Sequence, residues 1–243
     1  MKLERKNIVI TGGTSGVGLE LVGRLHAGNR LLVVARNSRR LDNLAEKLDG
    51  VLTCRADLSR REDVETAART AREHFGQIDV VINNAAIQHC PTLVDENFSY
   101  ESIYDEIGLN LTAVCALTCL LLPALMHDRE AAVVNVNSGL ALVPKKASAI
   151  YCATKAAVNV FSQSLRHQLE ETNVKVHQAF LPLVATQMTE GRGDHKMSAA
   201  DAADAVISGI EANILDHDIG RIRLLRILSR VAPRLASKIV KAA

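Results

Sequence analysis

The fold of this chain turns on residues 11–18, Thr-Gly-Gly-Thr-Ser-Gly-Val-Gly ("TGGTSGVG"). An apolar run, "NIVIT" (7–11), leads straight into them, and a helical stretch from about Leu19 to Ala27 follows. Glycines at 12, 16 and 18 let the backbone turn tightly and approach a pyrophosphate, whose charge the N-terminus of the next helix then stabilises. A glycine-rich turn alone is only a tight turn. A strand before it and a helix after it make it a dinucleotide-binding loop.

Outward from that loop the chain alternates short apolar runs with longer amphipathic ones. "RLLVVA" (30–35), "VLTCRA" (51–56), "IDVVIN" (78–83), "AAVVNVN" (131–137) and "VKVHQAFL" (174–181) read as strands. None has a polar face, as expected of strands covered on both sides. Between them runs a 3.6-residue periodicity, for example Leu41, Leu44, Ala45 and Leu48. The alternation predicts right-handed βαβ crossovers and an α/β fold. The expected architecture is a doubly wound parallel sheet, Rossmann-like, in three α/β/α layers. No repeat or linker interrupts it, so residues 1–243 are expected to form a single domain.

Composition excludes several other classes. With 48% hydrophobic and 23% charged residues, the chain has the balance of a globular protein rather than a disordered one. A net charge of +2, four Phe, three Tyr and no Trp leave little for phosphate attraction or base stacking, so no nucleic-acid partner is expected. The start "MKLERKNIVITGG" lacks the apolar core of a secretory signal. The run "LNLTAVCALTCLLLPALM" (109–126) carries Asn110 and Pro123 and falls short of the ~20 strongly apolar residues of a membrane span, so it reads as a buried helix. Five cysteines show neither CxxC nor Cys/His metal spacing. Reduced thiols, a cytoplasmic setting and no bound metal are the expectation, with Cys115 and Cys119 as small core residues.

The second strand bears on the choice of nucleotide. A cofactor without a 2′-phosphate is usually held by an acid at the end of this strand, about 20 residues past the glycines. Here Ala35 and Arg36 occupy that place, with Arg39 and Arg40 just beyond. An arginine grips a phosphate through paired charge-assisted hydrogen bonds. Arg36 therefore predicts NADP(H), while at least one of Arg39 and Arg40 decorates a solvated helix start.

Residues 151–155, "YCATK", place Tyr151 and Lys155 four apart, on one face of a helix. A free phenol titrates near ~10, and an ammonium close by, helped by a positive nicotinamide ring, favours its ionised form, so a lowered value is expected for Tyr151. Cys152, with no histidine near it in sequence, reads as a packed thiol.

Taken together these segments resemble the short-chain dehydrogenase/reductase family over roughly residues 5–213. "TGGTSGVG" looks like the family's TGxxxGxG loop, and "ADL" (56–58) like the segment whose acid, here Asp57, meets the adenine ring. "NNAA" (83–86) is similar to NNAG, "GLN" (108–110) places Asn110 at the family's catalytic asparagine, and Ser138 precedes Tyr151 by the usual 13 residues. "PLVAT" (182–186) is similar to the PGxxxT that closes over the nicotinamide. The resemblance implies an oxidoreductase moving hydride between NADPH and a ketone or aldehyde, or a secondary alcohol in reverse. Its catalytic residues would be Asn110, Ser138, Tyr151 and Lys155. Tyr151 would be the proton donor, Ser138 a hydrogen-bond donor to the same oxygen, and Asn110 the holder of a relay water. Cofactor contacts would come from Gly12, Thr14, Ser15, Gly16, Val17, Gly18, Arg36, Asp57, Leu58, Asn84, Ala85, Ala86, Tyr151, Lys155, Pro182, Val184 and Thr186. A homodimer or homotetramer built from the helices around 99–126 and 148–170 is also implied. "NNAAIQ" (83–88), "SLRHQLEET" (164–172) and "GRGDHKMS" (191–198) further resemble reductases often labelled as involved in D-alanine esterification of teichoic acids.

Two family glycines are replaced, by Ala86 and by Leu183, and the leucine puts bulk beside the nicotinamide pocket. Leu183 is the one feature favouring an alternative, a catalytically silent NADP(H)-binding regulatory or scaffold protein. Residues 186–198 are expected to form a short substrate lid hinged at Gly191 and Gly193, and His89, His195 and His217 to be solvated loop residues. The end of the chain, "IGRIRLLRILSRVAPRLASKIVKAA" (219–243), carries Arg221, Arg223, Arg226, Arg230, Arg234, Lys238 and Lys241 and no acid. Ile222–Leu224 is read as a last strand. Leu225, Leu228, Leu235 and Ile239 beyond it fit a basic amphipathic helix broken at Pro233, so that 221–243 forms a basic amphipathic segment. Packing of its apolar stripe on the protein is preferred here to contact with a membrane surface, because no Trp or Phe anchors it.

Overall fold

The alternation read from the sequence is realised as one seven-stranded parallel sheet of order β3-β2-β1-β4-β5-β6-β7. The structure, a computed structural model, describes residues 1–241. Strands β1 (Asn7–Thr11), β2 (Arg30–Ala35), β3 (Val51–Arg55) and β4 (Val80–Asn83) alternate with helices α1 (Gly16–Leu25), α2 (Ser38–Lys47) and α3 (Arg61–Phe75). Next come α4 (Glu101–Ile107), a π turn (Gly108–Thr112) and α5 (Ala113–Leu125). The second half contains β5 (Ala131–Ser138), α6 (Ala149–Gln168), β6 (Val174–Leu181), α7 (Ala199–Glu211), β7 (Asp216–Asp218), α8 (Ile222–Val231) and α9 (Pro233–Lys241).

Successive strand residues feed opposite layers. Ile8, Ile10, Leu31 and Val33 meet Leu21, Leu25, Leu41 and Val206 on one side. Val9, Leu32, Val34 and Val81 meet Val64, Ala71, Leu117 and Leu165 on the other. This is the period-2 geometry of strands buried on both faces. Because β1 pairs in parallel with both β2 and β4, the order in which strands are added reverses there. The cleft beyond the carboxyl ends of these strands is where such folds place ligands.

Three sequence expectations change. The last strand is Asp216–Asp218, not Ile222–Leu224. Its "DHD" has no apolar signature because it is a short edge strand with charged side chains, a common way of blunting a sheet edge. Arg166 and Gln178 both donate to Asp216 Oδ1, at 2.6 and 3.0 Å, and hold it there. Ile222 instead opens α8 and is buried because it packs over Gly139. His217 consequently lies on a strand rather than a loop. Helix α1 starts at Gly16, three residues before the expected Leu19, so its first turn belongs to the glycine loop.

The third change concerns 109–126, which is not buried all round. Its Ala113, Leu117, Leu121 and Leu125 lie on the sheet, while Cys115 is half-buried and Cys119 exposed on the outer face. The helical stretch Glu101–Leu125 is long and apolar enough to cross a membrane by length and composition, and packs on the sheet instead.

Candidate active site

The glycine loop is fixed from below by the segment after β4. Thr11 Oγ1 accepts from the backbone N–H groups of Asn84 and Ala85, both at 3.0 Å. Asn84 Nδ2 donates to the carbonyls of Thr11 and Gly12 at 3.0 and 3.2 Å. The helix and the loop approach so closely that a β-carbon on Gly18 would run into the Gly12 carbonyl oxygen and Asn84. Gly16 sits at φ +52°, a left-handed conformation that glycine adopts without strain. Helix α1 has no acid in its first turn and no side-chain cap, so its leading N–H groups remain free for an anion.

Behind the loop the sheet carries a buried polar ladder. Asn83 Nδ2 donates to Asn135 Oδ1 at 2.8 Å, and Asn135 Nδ2 to Ser162 Oγ at 2.8 Å, tying β4, β5 and α6 together. Asn137 Nδ2 donates to Gln178 Oε1 at 3.0 Å and to the Lys155 carbonyl at 3.3 Å. Such networks specify a register because a shifted pairing would strand each amide unpaired.

Above this floor lies a cavity of about 1120 Å³. It is lined by every residue named from the sequence as a catalytic or cofactor contact except Asn110 and Asp57. Asn110 is buried in the π turn, where Oδ1 accepts from Ile87 N–H at 2.9 Å and Nδ2 donates to the Ile87 carbonyl at 2.8 Å. Its side chain thus clasps the strand end that carries the cavity wall. The Asp57 carboxylate accepts from the Ser59 hydroxyl at 2.7 Å and pairs with Arg36 at 3.7 Å. Burial opposes its ionisation, but the Ser59 hydrogen bonds and Arg36 hold it below the usual carboxylate range. Asp57 therefore acts in this structure on Arg36.

Arg36 and Arg40 line the β2 side of the cavity, and Arg39 does not. Asn37 caps α2 by accepting from Arg40 N–H at 3.0 Å, which brings the first turn of that helix against the same corner. β2 itself ends on Ala35, followed by Arg36 rather than by an acid, and the carboxylate nearest Arg36 comes from Asp57 after β3.

At the other end, Tyr151 and Lys155 project from one face of α6, and both are buried. Lys155 Nζ donates to the Val136 carbonyl at 2.9 Å. Burial pushes the Tyr151 phenol up to about 12, with the Ser138 hydroxyl pulling the other way. Burial also brings the Lys155 ammonium down to about 8. Without the cofactor's positive nicotinamide ring, withdrawal from water outweighs the favourable charges around the phenol.

The leucine at 183 does not distort its strand end. Its φ is not positive, so the backbone there needs no glycine. Its carbonyl accepts from Met197 N–H at 2.9 Å, and its side chain covers Gly193. The backbone half of the sequence concern about Leu183 is thereby removed, while its side chain still lines the cavity. Of the three histidines, His195 lines the cavity, while His89 and His217 do not. His217 Nδ1 is buried without a partner beneath α7.

Several wall residues escaped the sequence reading, chiefly Lys145, Arg192, Lys196 and Arg221. Arg192 donates to Gln88 Oε1 at 2.8 Å and Cys90 Sγ at 2.9 Å, both neutral, so its charge is retained. These residues lie on loops joined only by the tertiary fold.

Residues 6–197 match the family model for short chain dehydrogenases, and the chain belongs to that family of oxidoreductases. It is similar to the uncharacterized oxidoreductase DltE of Bacillus subtilis (strain 168), with 37% identity over 198 residues, 80% of this chain and 77% of the relative. That likeness agrees with the subgroup resemblance read from residues 83–88, 164–172 and 191–198. Among solved structures, a short-chain dehydrogenase from Sphingobium yanoikuyae in complex with NADPH superposes with TM-score 0.82 at 28% identity, covering 97% of both chains. A 3-ketoacyl-(acyl-carrier-protein) reductase from Brucella melitensis complexed with NADH also gives 0.82, at 27% identity, covering 91% of this chain and all of that one.

Proposed function

We propose that the protein is an NADPH-dependent carbonyl reductase. The observation that carries the reading is the convergence of Ser138, Tyr151 and Lys155 on the cavity floored by the glycine loop. The residues fit a dinucleotide, since the glycine loop packs tightly on Asn84 and Ala85 and the first turn of α1, which carries no acid, lines the cavity. Arg36 and Arg40 at the β2 side of the cavity, with Asp57 paired to Arg36 at 3.7 Å, support the 2′-phosphorylated cofactor. Gly12, Thr14, Ser15, Gly16, Val17 and Gly18 would hold the pyrophosphate, and Asn84, Ala85, Ala86, Pro182, Val184 and Thr186 the nicotinamide half. When bound, the cofactor supplies hydride to the carbonyl carbon.

The chain's own part is proton delivery and positioning. Tyr151 gives its phenolic proton to the carbonyl oxygen as that oxygen gains charge, and Ser138 hydrogen-bonds the same oxygen. Lys155, held in a low-dielectric pocket, stabilises the phenolate left behind and steadies the ribose. General acid catalysis of this type contributes ~10²–10⁴ in rate. Asn110 is a positioning residue, fixing Ile87 at the cavity wall. A homodimer or homotetramer is proposed through α5 and α6, whose outer faces expose Cys119 and Val160.

The reading is tested by following NADPH absorbance with a panel of ketones, aldehydes and quinones, with Tyr151→Phe alongside. Consumption that the variant loses supports it. NADPH binding with no turnover of any carbonyl class turns the assignment to a regulatory or scaffold protein.

A further inference from the structure

The C-terminal helix pair has two apolar faces, and only one is used by the fold. On the inner face, Ile222 packs over Gly139, and Leu225 and Leu228 join a small cluster with Val143, Ala236 and Val240. The backbone N–H of Lys146 donates to the Lys241 carbonyl at 3.3 Å and ties down the end of α9. Pro233 opens α9 after the break at Ala232, as proline does at a first helical position.

The outer face is a second stripe. Leu224 is 67% exposed, Ile227 53% and Val231 80% on α8, and Leu235 and Ile239 on α9 are more than half exposed. At about 100° per residue, Leu224, Ile227 and Val231 fall within an arc of roughly 60°, on the side of α8 opposite Ile222 and Leu225. By the same spacing Arg223 and Arg230 flank this stripe on α8, and Arg234, Lys238 and Lys241 flank the α9 stripe on one side. No acid occurs from 219 to 243. Among the described residues, Arg226 alone of the cations in this segment pairs with an acid, through two hydrogen bonds to Asp218 at 2.6 and 2.7 Å.

We infer that α8 and α9 dock the protein on an anionic lipid bilayer surface, with the outer stripe in the headgroup region and the cations against lipid phosphates. An apolar stripe of this width has no occupant within the fold, and charge decides between the outside ones. A second copy would bring the same acid-free cations face to face across a two-fold axis. An anionic surface complements them, each cation near it strengthening binding by about fivefold. The sequence reading preferred packing to membrane contact for want of a Trp or Phe anchor; of its stripe, Leu225 and Leu228 pack on the fold, while Leu235 and Ile239 are exposed. The inner residues Arg221, Ile222 and Leu225 also line the catalytic cavity, so docking would set the site beside the lipid surface. An amphiphilic carbonyl compound dissolved in that surface would then reach it directly.

The test is sedimentation of the full-length protein with vesicles of phosphatidylcholine alone or mixed with phosphatidylglycerol. Two paired variants accompany it, Ile227→Ser with Val231→Ser, and Arg230→Glu with Lys238→Glu, each checked for unchanged NADPH affinity as a sign of folding. Binding to the phosphatidylglycerol vesicles at low salt is expected, at least about tenfold weaker on phosphatidylcholine, in high salt and in either variant. Absence of binding to the anionic vesicles overturns the inference, as does equal binding by wild type and both variants. So does sedimentation velocity showing that the serine pair splits a wild-type oligomer, which would give the stripe to a second copy.

Discussion

Lys155 Nζ lies 5.7 Å from the centre of the Tyr151 ring and gives a hydrogen bond to the Val136 carbonyl rather than to the phenol. The ammonium therefore acts on Tyr151 through space, and the phenolic hydrogen is left for a substrate. Replacing Tyr151 by Phe removes only that hydroxyl. Turnover should fall by ~10²–10⁴, while NADPH affinity, measured by fluorescence titration, should stay within a few-fold of wild type. A variant that kept more than a tenth of the rate would remove Tyr151 from the role of proton donor.

Lys155 also predicts an alkaline rise in stability. Its value falls from 10.5 in the open chain to about 8 in the fold. Below pH 8 the ammonium is charged in both states, and the folded state bears the cost of burying it. Between pH 8 and 10.5 the unfolded chain holds the proton and the folded chain does not, so stability increases with pH by on the order of 3 kcal/mol. Tyr151, raised from 10.0 to about 12, works in the opposite direction above pH 10. Denaturant midpoints should thus climb from pH 8 toward 10 and then level or fall. Lys155→Met should flatten the climb, and an unchanged slope in that variant would contradict the assignment.

Nucleotide choice should rest on Arg36. Its partner Asp57 is 3.7 Å away and both groups are partly in water, so the pair is weak and free to share a phosphate. Arg36→Ala should raise the KM for NADPH at least about tenfold, the worth of a charge-assisted hydrogen bond, and leave that for NADH nearly unchanged. Parallel losses with both cofactors would place Arg36 in general stability instead.

Gly18→Ala tests the clamp between loop and helix. The new methyl group meets the Gly12 carbonyl and Asn84, so either the loop or the 83–86 segment must move. Overpacking of this kind costs about 1–3 kcal/mol, read as a lower Tm, together with a weaker Kd for the dinucleotide. Gly23→Ala, where a β-carbon meets nothing within 4 Å, is the matched control and should gain slightly in helix stability.

What could be read from sequence was what is local. The strand–glycine loop–helix unit and the Tyr151–Lys155 spacing each lie within a few residues, and both landed in one cavity. The seventh strand was missed because Asp216–Asp218 pairs at an edge and needs no apolar side chains. Ile222 misled for the complementary reason, being buried by a helix contact with Gly139. The depth at which Tyr151 is buried was not legible because it depends on neighbours distant in sequence, such as Ser138 and Arg192. Arg192 and Lys145 escaped for the same reason, since only the folded chain brings residues 145 and 192 to one wall. Cys119 was misplaced because an apolar run does not say which of its faces meets the sheet.

The bridge between Val184 and Met197 has a consequence for how such a protein diversifies. Ala185 N–H donates to the Met197 carbonyl at 2.8 Å and Met197 N–H to the Leu183 carbonyl at 2.9 Å, so the chain leaves and re-enters the frame at a single point. Residues 186–196 form a purse with a drawn neck. Beyond Thr186, which touches the glycine loop, their length and chemistry can be rewritten while the ends stay knotted. Substrate preference in this architecture is therefore a replaceable cassette, carried on a catalytic frame that need not be relearned each time it is exchanged.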